Sequence, residues 1–170
     1  MPLTTAVAIF AIDPGGTTGC AAGVFDLRRL TVAKVLGRAQ AKGNFKTWNV
    51  TGDNVKQNWE IARAVTDYYY QMHVERSWVV FDSFYVVTED FNLRQMSADL
   101  SPVERNSGIE TLLAPAFKDR WSEVWSKQSA SEAKGFCNDK MLDRWGLLRG
   151  KTPHERDATR HIARRLDRLL

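Results

Sequence analysis

The first third of the chain alternates short apolar runs with residues that favour turns. An uninterrupted apolar run, AVAIFAI, covers residues 6–12 and has the length of a central strand that is covered on both faces. Proline and three glycines follow within residues 13–19, which predicts a tight turn into a second strand over residues 20–25. A turn at residues 26–29 then predicts a third strand over residues 30–37, so the fold is expected to open as an antiparallel meander.

The middle of the chain has a helical pattern followed by a long strand pattern. Apolar residues at positions 55, 59, 62, 65, 69 and 72 share one helical face, and Asp53 or Asn54 can cap that helix. Residues 77–88, SWVVFDSFYVVT, are rich in β-branched and aromatic side chains and predict a fourth strand. It ends at Glu89 and Asp90.

The remaining residues are mostly helical in pattern. A helix is predicted over residues 102–113, a short fifth strand over residues 122–126 and helical structure over residues 131–148. Thr152 and Glu155 form a capping box around a proline at the first helical position, so a last helix is expected to begin at Pro153. This order of elements predicts an α/β fold with a mixed sheet and flanking helices.

Composition adds limits on the class of protein. A chain of 170 residues, 44% hydrophobic and 26% charged, is long enough for one domain with a real core, which excludes wholesale disorder and fibrous repeats. No apolar run is long enough to span a membrane, and Asp13 interrupts the N-terminal run, so neither a signal sequence nor a membrane anchor is expected. Cys20 and Cys137 cannot form a disulfide framework, which favours a reducing, cytoplasmic location.

The net charge of +4 is concentrated at the C-terminal end. Residues 149–170 contain seven basic and three acidic side chains, an excess equal to that of the whole chain. This pattern suits a solvated helix face with internal ion pairs and a phosphate-binding surface equally well. Arg160 and Arg164 are the predicted phosphate contacts in the second case.

Three acidic residues occur where predicted elements begin or end. Asp13 follows the first strand, Glu89 follows the fourth, and Asp157 lies in the first two turns of the last helix. If these elements meet at one edge of the sheet, the carboxylates form a cluster that needs cations, and hard oxygen ligands suit Mg²⁺ or Mn²⁺. Two such ions support phosphodiester hydrolysis. Taken singly, each acid could equally cap a turn or a helix.

Two histidines share one side of the last helix with Asp157. His154 precedes Asp157 by three residues, and could be a ligand, a proton shuttle or an exposed helix-terminal side chain. His161 follows by four and is interpreted as structural. The seven-residue separation of the two histidines excludes the HExxH zinc-protease motif.

Three segments, AIDPGGTTGCAAGVFD, VVTEDFNL followed by SP, and HERDATRHIARRL, resemble the motif blocks of the RuvC family of Holliday-junction resolvases, especially its phage-type members. The blocks span nearly the whole chain, which implies a single ribonuclease H-like nuclease domain over residues 1–170. The first block alone also resembles the phosphate loop of actin-like and sugar-kinase ATPases. Those proteins require a second lobe, for which the chain has no room.

The resemblance implies a set of site residues. Asp13, Glu89 and Asp157 match metal-binding carboxylates, and His154 matches a position that is Asp or His in relatives, so all four are predicted to be catalytic and to hold two Mg²⁺ or Mn²⁺ ions. Asp82 could replace Glu89 in the second block; we prefer Glu89 because EDFNL and the later SP keep the downstream pattern. Further predicted DNA contacts are Phe91, which resembles an aromatic used against junction bases, and the basic residues Lys127 and Lys134.

The resemblance also implies an activity and partners. It implies a metal-dependent endonuclease that resolves Holliday junctions by paired nicks, as a homodimer, in the cytoplasm, or in the host cytoplasm if a phage encodes it. A less selective flap or replication-fork nuclease is the alternative within enzymes. A non-catalytic DNA-binding module and an actin-like ATP-binding protein are the alternatives of other classes.

Overall fold

A mixed five-stranded sheet forms the centre of the computed structural model, which describes residues 6–28, 30–72, 81–91, 100–148 and 152–170. The strands are β1 (Ala6–Asp13), β2 (Thr18–Asp26), β3 (Phe45–Val50), β4 (Phe81–Asp90) and β5 (Trp125–Ser129). Their order in the sheet is β3-β2-β1-β4-β5. β1 pairs antiparallel with β2 and parallel with β4, while β3 adds antiparallel to β2 and β5 adds parallel to β4. This confirms the predicted mixed sheet with the first strand at its centre.

Helices cover both faces of the sheet. They are α1 (Val32–Ala41), α2 (Asn54–Tyr70), α3 (Ser101–Phe117), α4 (Trp121–Val124), α5 (Ala130–Phe136), α6 (Asp139–Arg144) and α7 (Pro153–Leu169). Alternate residues of β1 point to opposite sides, so Val7, Ile9 and Ala11 join one core cluster with α1 and α7, while Phe10 and Ile12 join a second with α2 and α3. We call these sides the α7 face and the α3 face. Among the described residues, no helix has the length and apolar character needed to cross a bilayer.

The prediction of a third strand over residues 30–37 is wrong, because this segment forms α1. Its buried residues are Val32, Val35, Leu36 and Ala39, which have the spacing of one helical face rather than the alternation of a strand. The third strand is β3, whose side chains are mostly half-buried. β3 lies at the edge of the sheet, so it carries polar residues that gave no apolar signal.

The other predicted elements are present with shifted boundaries. β5 begins three residues later than predicted, and residues 131–148 divide between α5 and α6. The helix predicted over residues 102–113 runs from 101 to 117. Residues 77–80 of the predicted fourth strand lie outside the described residues.

The predicted N-cap side chains of α2 and α7 are in place, while the Glu155 carboxylate of the predicted capping box accepts hydrogen bonds from Thr47 and Asn49 of β3. The Asp53 side chain accepts a hydrogen bond from the backbone N–H of Lys56, and the Thr152 hydroxyl accepts one from the N–H of Glu155. The predicted apolar face of α2 is correct only in part, because the side chains of Val55 and Trp59 are 67% and 62% exposed.

A candidate metal centre at the edge of the sheet

Parallel pairing of β1 with β4 brings two acidic residues to the same edge of the sheet. Ile12 pairs with Thr88, so Asp13 and Glu89 are the next residues on neighbouring strands. Strand alternation places both on the α7 face, because Ala11 and Val87, two residues earlier, belong to that core. Asp13 is 4% exposed and the Glu89 side chain 12% exposed, so the two carboxyl groups share a largely buried position.

A glycine on β2 allows the N-terminus of α7 to approach this edge. A Cβ atom on Gly19 would lie 2.2 Å from the backbone C and O atoms of His154, closer than any real contact. The Glu155 carboxylate accepts hydrogen bonds from Thr47 and Asn49 on β3, both at 2.7 Å, and holds the same turn of α7 in place. α7 is therefore fixed with its first turn over the ends of β1 and β2.

This docking places both histidines of α7 beside the carboxylates. His154 Nδ1 lies 2.9 Å from Asp13 Oδ2, and its side chain is 40% exposed. His161 is buried, with Nε2 3.8 Å from Glu89 Oε2. Ligand atoms of Asp13, Glu89 and His161 all lie within 4.8 Å of one another. The sequence analysis interpreted His161 as structural and did not place it beside these carboxylates. Its spacing of four from Asp157 was the available signal, since it puts both on one helix face.

Asp157 lies at the entrance of the site rather than within this close group. Its carboxylate forms a 3.2 Å ion pair with Lys134 Nζ and a second ion pair with Arg160, and its side chain is 16% exposed. Its negative charge still reaches Asp13, where it contributes to the raised pKa of that carboxyl group.

The electrostatics of the site favour the binding of a cation. Burial, a hydrogen bond with Glu89 and the nearby charges of Glu89 and Asp157 raise the pKa of Asp13 to about 9. Burial also acts to raise the pKa of Glu89, but hydrogen bonds from His161 and Asp13, with the charges of His161 and Lys134, outweigh it and lower that pKa. Without a cation, one of the two carboxyl groups therefore keeps its proton.

The donor set fits a divalent cation. Two ligand atoms on opposite sides of one small divalent ion are about 4.2 Å apart, since each bond is about 2.1 Å long. The separation of at most 4.8 Å among Asp13, Glu89 and His161 is only slightly wider. A bound cation would replace the proton of the Asp13 carboxyl group and balance both negative charges.

Comparison with known proteins places this geometry in a known fold. No protein-family model and no curated protein sequence matches the chain.

Two solved structures of Thermus thermophilus RuvC do match in three dimensions. One aligns with a TM-score of 0.52 at 15% identity over 92% of each chain. The other, in complex with a Holliday junction substrate, aligns with a TM-score of 0.51 at 12% identity over 93% of this chain and 91% of that one. The chain has a RuvC-like fold.

The RuvC-like fold confirms, at the level of architecture, the family resemblance of the sequence. The roles of Asp13, Glu89, His154 and Asp157 stay predictions that rest on the geometry above. The alternative assignment of Asp82 also stays a prediction, and the side chain of Asp82 lies outside the described residues. The phage-type assignment likewise stays a prediction from the sequence resemblance.

The predicted DNA contacts lie in different surroundings on the RuvC-like fold. Lys134 is 54% exposed and borders the entrance of the site beside Asp157. Lys127 points to the α3 face, away from the carboxylates, and pairs with Glu110 at 3.5 Å. Phe91 is half-buried directly after β4. For all three, contact with DNA stays a prediction, and the position of Lys134 suits it best.

The two arginines of α7 that are predicted phosphate contacts, Arg160 and Arg164, are engaged within the protein. The Arg160 guanidinium is 9% exposed and bonds to the carbonyl of Cys137, to Asp157 and to Asp139. Arg164 pairs with Glu132 at 3.0 Å and with Asp167 at 2.7 Å. The structure thus favours the internal ion pairs over a free phosphate-binding surface at these two positions.

Helix α3 supports the strand ends from the other face of the sheet. Asn106 donates to the backbone carbonyl of Glu89 at 2.7 Å and accepts from the Thr88 hydroxyl at 2.5 Å. The neighbouring Arg105, 2% exposed, donates to the Thr18 hydroxyl at 3.0 Å. Gln57 of α2 continues this network to the carbonyl of Gly16, in the turn after Asp13. Sequence reasoning missed this support, because each residue is polar and isolated in the chain.

Proposed function

We propose that the chain is a single-domain, metal-dependent endonuclease that cleaves branched DNA and resolves four-way junctions. The observation that carries the proposal is the convergence of Asp13 and Glu89 with two histidines of α7 at one edge of a RuvC-like sheet. A solved structure of similar fold is a complex with a Holliday junction substrate, which supports branched DNA as the substrate class.

Among the four predicted residues, Glu89 forms the inner, buried part of the site, and His154 and Asp157 form the outer part. Asp13 lies between the two parts, with Glu89 on its inner side and His154 at 2.9 Å on its more exposed side. Together with Asp157 at the entrance, they would hold two Mg²⁺ or Mn²⁺ ions. Ions bound there would activate a water molecule and neutralise charge on the phosphate being displaced.

His154 is suited to move a proton at the open side of the site. Its Nδ1 faces Asp13, which leaves Nε2 as the nitrogen that can accept a proton from the attacking water. Lys134 stands at the same opening and pairs with Asp157. Its ammonium group would bind the scissile phosphate as a point charge and orient it toward the carboxylates.

A groove beside the entrance gives the DNA backbone a path to the site. Its volume is about 280 Å³, and its lining includes Lys134, Asn138, Arg156 and the carboxylate of Asp157. Basic side chains that bind phosphates release condensed counterions, so junction affinity should fall steeply as salt increases.

We further propose that the protein acts as a homodimer through the outer face of α2. Val55, Trp59 and Tyr70 lie on this face with exposures of 67%, 62% and 62%. Large apolar side chains grouped on an exposed helix face are typical of interaction surfaces. A second copy of this chain is the occupant we propose, because two nicks on opposite strands require two active sites related by two-fold symmetry.

The charges on the same face of α2 are self-complementary. Lys56, Glu60, Arg63 and Asp67 alternate in sign along the helix. In an antiparallel contact of two α2 helices, centred between residues 61 and 62, Lys56 would face the partner's Asp67 and Glu60 would face the partner's Arg63. Opposite charges would then meet at every position of this set.

Cleavage of a synthetic four-way junction tests the proposed activity. The protein is incubated with Mg²⁺ or Mn²⁺ and an end-labelled junction, beside a flap, a replication fork and a linear duplex of matched sequence. We expect symmetric nicks in the junction and little cleavage of the duplex, and none with Asp13→Asn. Equal cleavage of flaps and forks would indicate a less selective structure nuclease. Junction binding without cleavage by any divalent ion would overturn the catalytic proposal, and ATP binding in a parallel assay would favour an actin-like protein.

A further inference from the structure

The inner side of the site holds an imidazole that is not among the four predicted catalytic residues. His161 is 1% exposed, and it lies between Gln128 on β5 and Glu89 on β4. Gln128 pairs in register with Glu89, so both side chains point to the α7 face, where His161 is located. This arrangement combines residues from three elements around one buried ring.

The contact with Gln128 sets the protonation pattern of the ring. Gln128 Oε1 lies 3.3 Å from His161 Nδ1, and a carbonyl oxygen can only accept, so Nδ1 carries the hydrogen. The other ring nitrogen, Nε2, lies 3.8 Å from Glu89 Oε2. It therefore faces the region where Asp13 and Glu89 also place oxygen atoms, all within 4.8 Å of one another. A histidine whose second nitrogen donates to a fixed acceptor is the usual arrangement at metal sites.

The buried amide of Gln128 gives an independent indication. Gln128 is 1% exposed, and its Nε2 has no hydrogen-bond partner among the described residues. A buried polar group normally has its hydrogen-bond partners satisfied, because leaving one without a partner costs free energy of desolvation. The oxygen of Gln128 is thus directed at His161 while its nitrogen is left unsatisfied, which fits a side chain whose role is to orient the imidazole.

We propose that His161 is a metal ligand at the inner position, together with Asp13 and Glu89, and that this position favours Mn²⁺ over Mg²⁺. The proposal rests on the proposed function only in using the same two carboxylates. Mg²⁺ binds oxygen almost exclusively, whereas first-row transition ions accept imidazole nitrogen readily. A set of two carboxylates and one imidazole therefore discriminates between ions that an all-carboxylate set would bind similarly.

The direct test is pulsed electron paramagnetic resonance of Mn²⁺ bound to the DNA-free protein, which detects coupling to a ligating ¹⁴N nucleus. The measurement uses His154→Gln protein, so that the other imidazole near Asp13 cannot supply the nitrogen. We expect a ¹⁴N coupling in His154→Gln and its loss in the double variant with His161→Gln. Absence of the coupling in His154→Gln would overturn the proposal.

Titration calorimetry with Mn²⁺ and with Mg²⁺ tests the selectivity. In His161→Gln, we expect the Kd for Mn²⁺ to rise at least about 10-fold, since removing even a residue that orients a ligand costs about 10- to 100-fold. The Kd for Mg²⁺ should change much less, because the glutamine oxygen is a hard donor. Thr159→Ala is the matched control: Thr159 is buried on the same helix and bonds to the carbonyl of Glu155, so both Kd values should stay at the parent level. An unchanged Mn²⁺ to Mg²⁺ ratio in His161→Gln would contradict the proposal.

A third variant distinguishes a lost metal ligand from a misfolded protein. Gln128→Met keeps the volume of the side chain and removes the acceptor, so the imidazole is no longer held with its hydrogen on Nδ1. The Kd for Mn²⁺ should again rise by about 10-fold or more, with an unaltered circular dichroism spectrum. An unchanged Kd would show that Gln128 does not orient the ring.

The outcomes separate this proposal from the proposed function. Nitrogen coupling to Mn²⁺ without cleavage of any branched DNA would support the metal site and overturn the nuclease. Junction cleavage with an unchanged ion preference in His161→Gln would leave the nuclease standing and overturn the role of His161.

Discussion

The Asp13 carboxyl group can be accommodated beside Glu89 only with a proton or a cation. It is 4% exposed, and burial together with the neighbouring carboxylates raises its pKa from 3.8 to about 9. The native state therefore binds a proton that the unfolded state releases between these two values. Because the unfolded state holds fewer protons in this range, the free energy of unfolding of the metal-free protein falls as pH rises from about 4 toward 9.

The variant Asp13→Asn tests this balance of stability against function. In chelator, its melting temperature should exceed that of the parent, and the difference should grow between pH 5 and pH 9, because the amide removes the buried charge. Mn²⁺ should raise the melting temperature of the parent and leave the variant nearly unchanged. Cleavage should fall by at least about 10²-fold, since metal ions supply several kcal/mol of charge stabilisation, while junction binding is retained. A variant less stable than the parent at pH 8 in chelator would contradict the buried-charge argument.

A second prediction concerns His154, whose Nδ1 contacts Asp13 at 2.9 Å. His154→Ala should reduce the single-turnover cleavage rate by roughly 10²-fold, the scale of a general acid–base contribution. His154→Asp should retain much of the activity with Mg²⁺, because it replaces nitrogen by the oxygen that this ion prefers. The parent rate in His154→Ala across pH 6 to 9 would show that this histidine is only a helix-terminal side chain.

At the residue scale, the position of a residue in the fold could be predicted from the sequence where its neighbours in the chain form a recognisable pattern. Asp13 ends an apolar strand, and Thr152 and Glu155 bracket a helix start, so both positions follow from neighbouring residues. His161 and Gln128 carry no such signal. They are in contact because β5 pairs in parallel with β4 and α7 crosses that face of the sheet. Local sequence patterns do not predict long-range pairing of this kind.

At the scale of elements, the docking of α7 on β2 depends on one glycine. Gly19→Ala would place a Cβ atom 2.2 Å from the backbone of His154, so the first turn of α7 must move away from the sheet. We expect a destabilisation of about 1–3 kcal/mol, the usual cost of overpacking, together with a large loss of cleavage. Denaturant unfolding and cleavage rates measure the two effects.

The same substitution in α1 provides the control. A Cβ atom on Gly37 would meet nothing within 4 Å, and the residue lies inside a helix. Gly37→Ala should therefore stabilise the protein by about 0.5–1 kcal/mol and leave cleavage at the parent rate. Equal behaviour of the two variants would mean that contact between β2 and α7 does not position the site.

Helices and strands were predicted correctly where the spacing of hydrophobic residues is typical of one type of element. The prediction failed where that spacing is absent. β1 is buried along its whole length and is visible as a continuous apolar run. The segment that forms α1 was interpreted as a strand because a hairpin was expected after β2. β3, at the sheet edge, was missed because its polar residues contact α7 and do not pack in the core. Thr47 and Asn49 donate hydrogen bonds to the Glu155 carboxylate.

At the scale of the whole molecule, function depends on how many active sites act on one junction. Trp59→Glu should convert the proposed dimer to a monomer, since Trp59 is 62% exposed on the outer face of α2 and a charge there opposes apolar contact. Sedimentation analysis measures the change in mass. Leu100→Glu is the control, because Leu100 is 53% exposed outside α2, and this variant should keep the mass of the parent. A parent protein that is monomeric at micromolar concentration would overturn the proposed dimer.

The charge pattern of α2 allows the same interface to be tested by exchange. Lys56→Glu should weaken the dimer, because the new carboxylate would face the partner's Asp67, and Asp67→Lys in the same chain should restore it by reversing both charges of each pair. A supercoiled plasmid with a cruciform reports the consequence for activity. The parent and the double variant should produce linear DNA by two nicks within one binding event, whereas Lys56→Glu should produce mainly nicked circles, because a monomer leaves after one cut. Linear product from a protein that sediments as a monomer would show that paired cleavage does not require this interface.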